Sequence, residues 1–186
     1  MDTRKIILLG TMQVFNEKGL KFTMDDVSRN LGMSKKTIYK IFANKEEMFL
    51  DMVDFLFDTI KESKLQVIAD DSLTTLEKIR EVLRVIPKPY NSVDFRLLFQ
   101  LKDKYPLIYS KVEKRLESGW EETLELIEKG MEEGVIRPVS LCLVKLMFEA
   151  ALEQFFQRDI LIENNLSYQE ALNQVVDILV DGISVK

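Results

Sequence analysis

Residues 23–49 contain two short helix patterns separated by a turn signal, and this stretch constrains the fold more than any other. Thr23 is placed to cap a helix whose first turn carries two carboxylates, which satisfy free N–H groups and the positive end of the helix dipole. Gly32 is placed to end that helix in a left-handed conformation, and Ser34 to cap the next one. The pattern predicts a helix-turn-helix.

The second helix of the pair begins with two lysines, which is unfavourable for its stability. Lys35 and Lys36 lie in the first turn, where each cation opposes the helix dipole at a cost of about 0.3–1 kcal/mol. Local rules are broken most often at functional sites, and a phosphate or a guanine edge at this helix end would offset the cost. The pattern therefore favours nucleic-acid contact over the alternative, a solvated helix that carries lysines by chance.

This stretch resembles the DNA-binding region of the TetR family of bacterial transcriptional regulators. The resemblance is carried by Thr23, Gly32, Met33, Ser34, Thr37, Ile38, Tyr39, Phe42, Lys45, Glu46 and Met48. Two positions depart from the family pattern, because Lys36 stands where Gly or Ala is usual and Ile41 where His or Tyr is usual. Lys36 adds charge close to the expected DNA face, so the base preference of relatives cannot be transferred to this chain.

The residue types in this stretch predict two kinds of DNA contact. Hydroxyls and cations near helix starts suit phosphate oxygens. We expect phosphate contacts from Thr23, Ser34, Tyr39 and Lys45. We expect contacts to base edges, or close to them, from Lys35, Lys36, Thr37 and Lys40. Loss of a phosphate contact weakens binding to every sequence, whereas loss of a base contact relaxes discrimination.

The charge of the chain is divided between its two parts. The net charge is −5, which would be unusual for a protein that coats nucleic acid. Residues 1–50 carry 9 Lys and Arg against 6 Asp and Glu, whereas residues 51–186 carry 17 against 25. A basic head on an acidic body binds a duplex at one end and avoids indiscriminate adhesion.

The fold class predicted from periodicity is all-α, with about nine helices and no strand. We expect a three-helix DNA-binding domain over residues 1–44 and, as the family resemblance implies, an effector-binding and dimerisation domain over residues 45–186. A long helix from Lys45 to about Ala69 joins them without a Gly, Pro or Ser linker. Later helices are expected over residues 106–133 and 140–163, followed by a last helix capped by Ser167.

The last two helices are apolar around much of their circumference, which predicts burial on more than one side. Helix-turn-helix proteins commonly bind palindromic sites as two-fold dimers, and the family resemblance implies a four-helix interface built from these two helices. We therefore expect a homodimer on a palindromic double-stranded operator. The predicted interface residues are Val144, Phe148, Ala151, Leu152, Phe155, Leu172, Val175, Val176 and Leu179.

The family resemblance also implies a pocket for a small-molecule effector in the larger domain, and an apolar or amphipathic ligand is expected. The candidate lining residues are Phe95, Phe99, Tyr105, Trp120, Met147 and Phe148. The alternative is that these side chains are ordinary core, because aromatic and Met residues at helical spacing usually are. Whether an effector exists stays open.

Several functions are disfavoured by composition. The chain has no His and a single cysteine, Cys142, so an internal disulfide, a Cys/His zinc site and a His-based triad are excluded. We expect no enzyme activity, no metal or other cofactor, and a buried, inert thiol. No apolar run reaches the ~18 residues of a membrane span, so a cytoplasmic protein is expected.

The function predicted from the sequence is that of a sequence-specific DNA-binding transcriptional regulator. Repression is expected from the habit of the family that the chain resembles. Two alternatives remain at this point: a transcriptional activator, and a helical interaction protein that keeps a vestigial helix-turn-helix as a packing device.

Overall fold

The computed structural model describes residues 2–86, 100–157 and 160–185. Eleven α-helices lie in these ranges: α1 Thr3–Lys18, α2 Met24–Leu31, α3 Lys35–Tyr39, α4 Lys45–Ile68, α5 Thr75–Arg84, α6 Leu101–Lys104, α7 Pro106–Glu117, α8 Glu121–Glu132, α9 Leu141–Gln157, α10 Ile160–Glu163 and α11 Tyr168–Ile183. The same ranges contain no β-strand, only an isolated bridge between Ile136 and Ser184. The predicted all-α fold is confirmed.

The ends of the short helices are defined by capping residues, as the sequence predicts. Thr23 and Asp26 form a reciprocal capping box at the start of α2. Gly32 adopts a φ of 61° at its end, and Ser34 Oγ accepts a hydrogen bond from the Thr37 N–H at 3.1 Å. Because short helices are marginal on their own, these caps help to keep α2 and α3 in place.

One of the predicted helices is interrupted in the structure, and a second is described only in part. The helix expected over residues 106–133 is divided into α7 and α8, because Gly119 between them adopts a φ of 74°, which the α-helix does not allow. The helix expected over residues 140–163 is described as α9 and α10, with residues 158–159 outside the described ranges. Within those ranges, no helix has the length and hydropathy needed to cross a bilayer.

The chain forms two compact units. The first comprises Met1–Asp58 and Lys88–Lys114, and the second comprises Thr59–Pro87 and Arg115–Lys186. The first part of α4 belongs to the first unit because Met48 and Phe49 are fully buried there. The domain boundary predicted after Asn44 separates a DNA-binding part from the rest of the chain by function, whereas the compact units are defined by packing. This boundary stays a prediction.

Three phenylalanines form the centre of the first unit. The ring centroid of Phe15 lies 6.2 Å from that of Phe22 and 5.0 Å from that of Phe49, and Phe22 and Phe49 are 5.7 Å apart, all with edge-on geometry. Helices α1 and α2 approach closely at Gly10, where an added Cβ would lie 2.5 Å from the Leu31 side chain. Glycine in the middle of α1 therefore permits this packing.

The second unit is built around α5, α8, α9 and α11. Its fully buried centre includes Ile79, Ile127 and Val176. At the edge of this core, Arg80 and Arg84 of α5 both pair with Asp177 of α11. These ion pairs join the first and last helices of the core across more than ninety residues of sequence.

Asp26 is the most highly connected carboxylate of the first unit. It accepts hydrogen bonds from Lys18 Nζ at 2.5 Å, from the Thr23 hydroxyl at 2.8 Å and from the Thr23 N–H at 2.9 Å. Arg29 Nη2 donates to the same carboxylate at 2.8 Å. The hydrogen bond from Lys18, followed by those from Thr23, holds the pKa of Asp26 well below its usual range.

We expect Asp26→Asn to melt at a lower temperature at pH 7 and to be less sensitive to acid than the wild type. Folding lowers the pKa of Asp26, so its carboxylate stabilises the fold above the pKa of the unfolded chain, about 3.9. That contribution is lost as pH falls below this value towards the folded-state pKa. Thermal unfolding followed by circular dichroism between pH 7 and pH 3 measures both effects.

The matched control is Asp25→Asn, which removes the same charge from the same helix turn but leaves the capping box intact. Its acid sensitivity should follow the wild type. If Asp26→Asn loses as much stability as the wild type between pH 5 and pH 3, the low pKa of Asp26 does not contribute to folding.

Candidate nucleic-acid interface

The residues that α3 exposes are determined by the residues that it buries. Ile38 and Phe42 are fully buried in the first unit. The exposed residues of this segment include Lys36, Tyr39 and Lys40. Tyr39 and Lys40 come three and four residues after Lys36, which places all three on one side of a helix. We call these three residues the recognition face; it presents two ammonium groups and the phenol of Tyr39, which is 49% exposed.

The lysines at the start of α3 are not equivalent. Lys35 forms an ion pair with Asp25 of α2, with Nζ and Oδ2 2.5 Å apart. Lys36 and Lys40 form no ion pair with a described residue, so their charges are available to an incoming phosphate or base. Lys35 would have to leave Asp25 before it could contact DNA.

The hydroxyls expected to contact DNA are already engaged in helix caps. The Thr23 hydroxyl donates to the Asp26 carboxylate, and the Ser34 and Thr37 hydroxyl oxygens lie 2.8 Å apart. A hydroxyl oxygen has two acceptor sites and one donor, so a cap does not exhaust its capacity. DNA contacts by these three residues stay predictions.

The ammonium group of Lys45 is bound to the protein itself, which disfavours the predicted phosphate contact. Its Nζ donates to the Leu20 carbonyl at 2.8 Å and to the Phe22 carbonyl at 2.6 Å. The same atom lies 4.0 Å from the centroid of the Phe22 ring. The sequence placed Lys45 in the first turn of α4 but could not indicate the direction of its side chain.

Sequence reasoning also missed ion pairs that engage other lysines and arginines of the first unit. Arg4 pairs with Asp51, and its guanidinium lies 4.8 Å from the centroid of the Phe42 ring. Lys18 and Arg29 both pair with Asp26. Helical periodicity can suggest only the pair of Arg29 with Asp26, because these two residues are three positions apart on one helix. The pairs of Arg4 and Lys18 join residues of different helices and depend on tertiary packing.

The residues predicted to line an effector pocket are only partly brought together. Phe95 and Phe99 lie outside the described residues. Trp120 and Phe148 pack edge-on in the second unit with centroids 5.6 Å apart, whereas Tyr105 packs against Phe49 in the first unit. Met147 is 63% exposed on α9 and lines an open groove together with Phe148, so a ligand pocket at these two residues stays a prediction.

The residues predicted for the dimer interface differ in exposure. Five of them are buried in the core of the second unit and leave little surface for a partner: Val144, Phe148, Leu172, Val176 and Leu179. Ala151, Leu152, Phe155 and Val175 are half-buried. The apolar periodicity of α9 and α11 is predicted correctly, but the sequence does not distinguish the side that faces the core from the side that faces outward.

An exposed apolar surface does lie on α9 and α11. Leu143, Leu146, Met147 and Ile178 are each more than half exposed; we call these four residues the apolar face. An open groove of about 540 Å³ runs beside them, with Val144, Phe148 and Leu179 among its lining residues.

Cys142, the second residue of α9, is exposed, so the prediction of a buried thiol was wrong.

Comparison with known proteins agrees with this geometry. Residues 7–52 match the sequence model of the family described as "Bacterial regulatory proteins, tetR family". A relative over nearly the whole length is the uncharacterized HTH-type transcriptional regulator YvaF of Bacillus subtilis, which is 26% identical over 99% of this chain and 96% of its own.

Solved structures of similar fold cover almost the entire chain. A TetR-family transcriptional regulator from Cytophaga hutchinsonii is 25% identical, with a TM-score of 0.69 over 99% of this chain and 96% of its own. The regulator FadR from Bacillus subtilis, solved with stearoyl-CoA, is 20% identical and has a TM-score of 0.67 over 96% of this chain and 98% of its own. Residues 7–52 thus carry the DNA-binding region of the TetR family of bacterial transcriptional regulators, and the whole chain has the fold of solved members of that family.

Proposed function

We propose that this protein is a cytoplasmic repressor that binds a palindromic operator as a homodimer and is released by a small apolar or amphipathic ligand. The observation that carries the DNA-binding part is the recognition face of Lys36, Tyr39 and Lys40, which is exposed opposite a fully buried apolar side. Repression, rather than activation, follows the habit of the family.

The chemistry of the recognition face suits a DNA groove. Lysine ammonium groups bind phosphates and guanine acceptors, and the Tyr39 hydroxyl can donate to a phosphate. Lys36 stands near the start of α3, and in helix-turn-helix proteins the beginning of the second helix approaches base edges. The Asp25 carboxylate 2.5 Å from Lys35 competes with DNA for that cation.

The apolar face supports the dimer. Four large apolar side chains on two neighbouring helices are unusual at a solvated surface when they adjoin an apolar groove. A second copy of the same two helices would present the same surface, which is what a two-fold interface requires. The partner expected for this face is therefore another copy of this chain.

Unsatisfied polar atoms in the second unit support ligand binding. Thr123 is almost fully buried, and its Oγ1 has no hydrogen-bond partner among the described residues. Glu149 Oε1 has no hydrogen-bond partner there either, although Lys145 Nζ lies 3.7 Å from it. Lys64 Nζ lies 5.6 Å from the centroid of the Trp120 ring, and burial lowers the pKa of Lys64. Polar groups near an aromatic pair are suited to an amphipathic ligand. FadR, a structural neighbour, was solved with stearoyl-CoA.

The first prediction concerns operator recognition by Lys36. The operator is identified among genomic fragments of the source organism that the protein selects. The affinity of the protein for this operator is then compared with its affinity for random DNA of equal length. Lys36→Ala should reduce the preference for operator by about 1–3 kcal/mol, because a base contact is lost. Lys114→Ala, which removes the same charge from an exposed position of α7, should leave the preference unchanged.

Asp25→Asn tests the competition for Lys35 in the same assay. Release of Lys35 should strengthen binding to operator and random DNA together and make both more sensitive to salt. Equal losses on operator and random DNA for Lys36→Ala would remove Lys36 from the base-reading residues. Absence of salt-dependent duplex binding by the wild type would favour the interaction-protein alternative.

The second prediction concerns the apolar face. The wild type should have twice its chain mass of 21.7 kDa by light scattering, and Met147→Glu should have the mass of a single chain, because a charge would be buried without a partner. The matched control is Leu107→Glu at a similarly exposed apolar position, 67% against 63%, which should remain dimeric. A dimeric Met147→Glu variant would exclude this face as the interface.

The third prediction concerns the ligand, with stearoyl-CoA and free stearate as probes. Trp120 is the only tryptophan, so binding beside it should change the intrinsic fluorescence and lower operator affinity. Thr123→Val removes a buried hydroxyl without a partner, so the fold should lose no stability, yet probe affinity should fall severalfold. If Thr123→Val binds the probes as the wild type does, Thr123 does not contact them.

A further inference from the structure

Lys45 begins α4, and its ammonium group is surrounded by groups of the protein itself. The two carbonyls that it binds belong to Leu20 and Phe22. The Phe22 ring centroid lies 4.0 Å from Nζ, and that of Tyr105 lies 5.5 Å away. An ammonium has three N–H donors, and two carbonyls with an aromatic face account for all three.

The local electrostatics favour this arrangement. A cation in the first turn of a helix opposes the dipole, whereas the carbonyls at the end of a helical turn attract one. Leu20 lies in the short 3-10 turn Gly19–Lys21. In a 3-10 turn the Leu20 carbonyl would accept from the N–H three residues later, which is that of Thr23. The Thr23 N–H instead donates to the Asp26 carboxylate at 2.9 Å, so the Leu20 carbonyl is free to accept from Lys45.

The contacts of Lys45 join two points that enclose the DNA-reading segment. Leu20 and Phe22 immediately precede Thr23, where α2 begins, and Lys45 itself follows α3 after a short connection. The entry and the exit of residues 23–44 are therefore held together through one side chain. A shift of either end would tilt α3 without any change in the recognition face itself.

We propose that Lys45 is a positioning residue that fixes the orientation of α3 by holding together the two ends of residues 23–44. It acts through the Leu20 and Phe22 carbonyls and does not contact phosphate. The inference rests on the proposed function, because the orientation of α3 matters for a protein that reads DNA.

The DNA arm of the test uses the full-length Lys45→Met variant, which keeps the length of the side chain and removes its donors. Operator affinity should fall at least tenfold and random-DNA affinity less, with an unchanged slope of log affinity against log salt. A phosphate contact would instead lower that slope by about 0.9 and weaken both DNAs equally. Lys40→Ala serves as the control that removes a charge from the recognition face.

The second arm uses the free protein, so its outcome does not depend on the proposed function. Amide hydrogen exchange should become faster in residues 19–27 of Lys45→Met, whereas Lys40→Ala should match the wild type there. Unchanged exchange in Lys45→Met would overturn the positioning role. Failure of the wild type to bind any selected fragment would overturn the proposed function and leave this arm valid.

Lys45→Arg tests the same role if Lys45→Met fails to fold. A planar guanidinium is wider than an ammonium and does not fit between two carbonyl oxygens with a ring 4.0 Å from the cation. Faster exchange at residues 19–27 and a reduced operator preference are therefore expected. Wild-type exchange together with wild-type affinity and salt slope would overturn the positioning role and identify Lys45 as a phosphate contact.

Discussion

The burial of Ile38 and Phe42 is the constraint on which the DNA-reading surface depends. Helix α3 has five residues, far fewer than the ~12–15 that a helix needs to persist alone in water. Burying one large apolar side chain contributes about 1.5–3 kcal/mol, so these two residues supply most of what holds α3 against the unit. Once they are inside, helical geometry leaves Lys36, Tyr39 and Lys40 outside.

The positive charge of the first fifty residues is concentrated by the fold. Ion pairs with Asp25, Asp26 and Asp51 engage several of its lysines and arginines. Paired cations add little attraction for a polyanion, because their fields are largely cancelled nearby. The charge that remains near α3 belongs to Lys36 and Lys40. A domain with a modest positive excess can thus present a localised cationic surface.

The features predicted well from the sequence are those with local causes. The capping residues at Thr23 and Ser34 and the left-handed Gly32 depend on neighbours within a few positions, so sequence spacing reveals them. The break at Gly119 was missed because apolar periodicity continues through it, and glycine inside a helix pattern need not adopt a positive φ.

Features that depend on tertiary packing were less predictable. Periodicity identified α9 and α11 as apolar on several sides but could not tell which side meets the core of its own unit. The predicted interface therefore included Val176, which is buried, and not Ile178, which is 75% exposed. The direction of the Lys45 side chain had no signal at all. Its acceptors are backbone carbonyls more than twenty residues away, and every residue type carries the same carbonyl.

Helix α4 continues without interruption from the first compact unit into the second. It has 24 residues and contains neither Gly nor Pro, two common causes of a kink. At 1.5 Å per residue it is about 36 Å long, and a rotation of about 5° about one end displaces the other by about 3 Å. That displacement is close to the ~3.4 Å rise between successive base pairs. A straight helix of this length therefore converts a small angular change at one of its ends into a displacement of about one base-pair rise at the other.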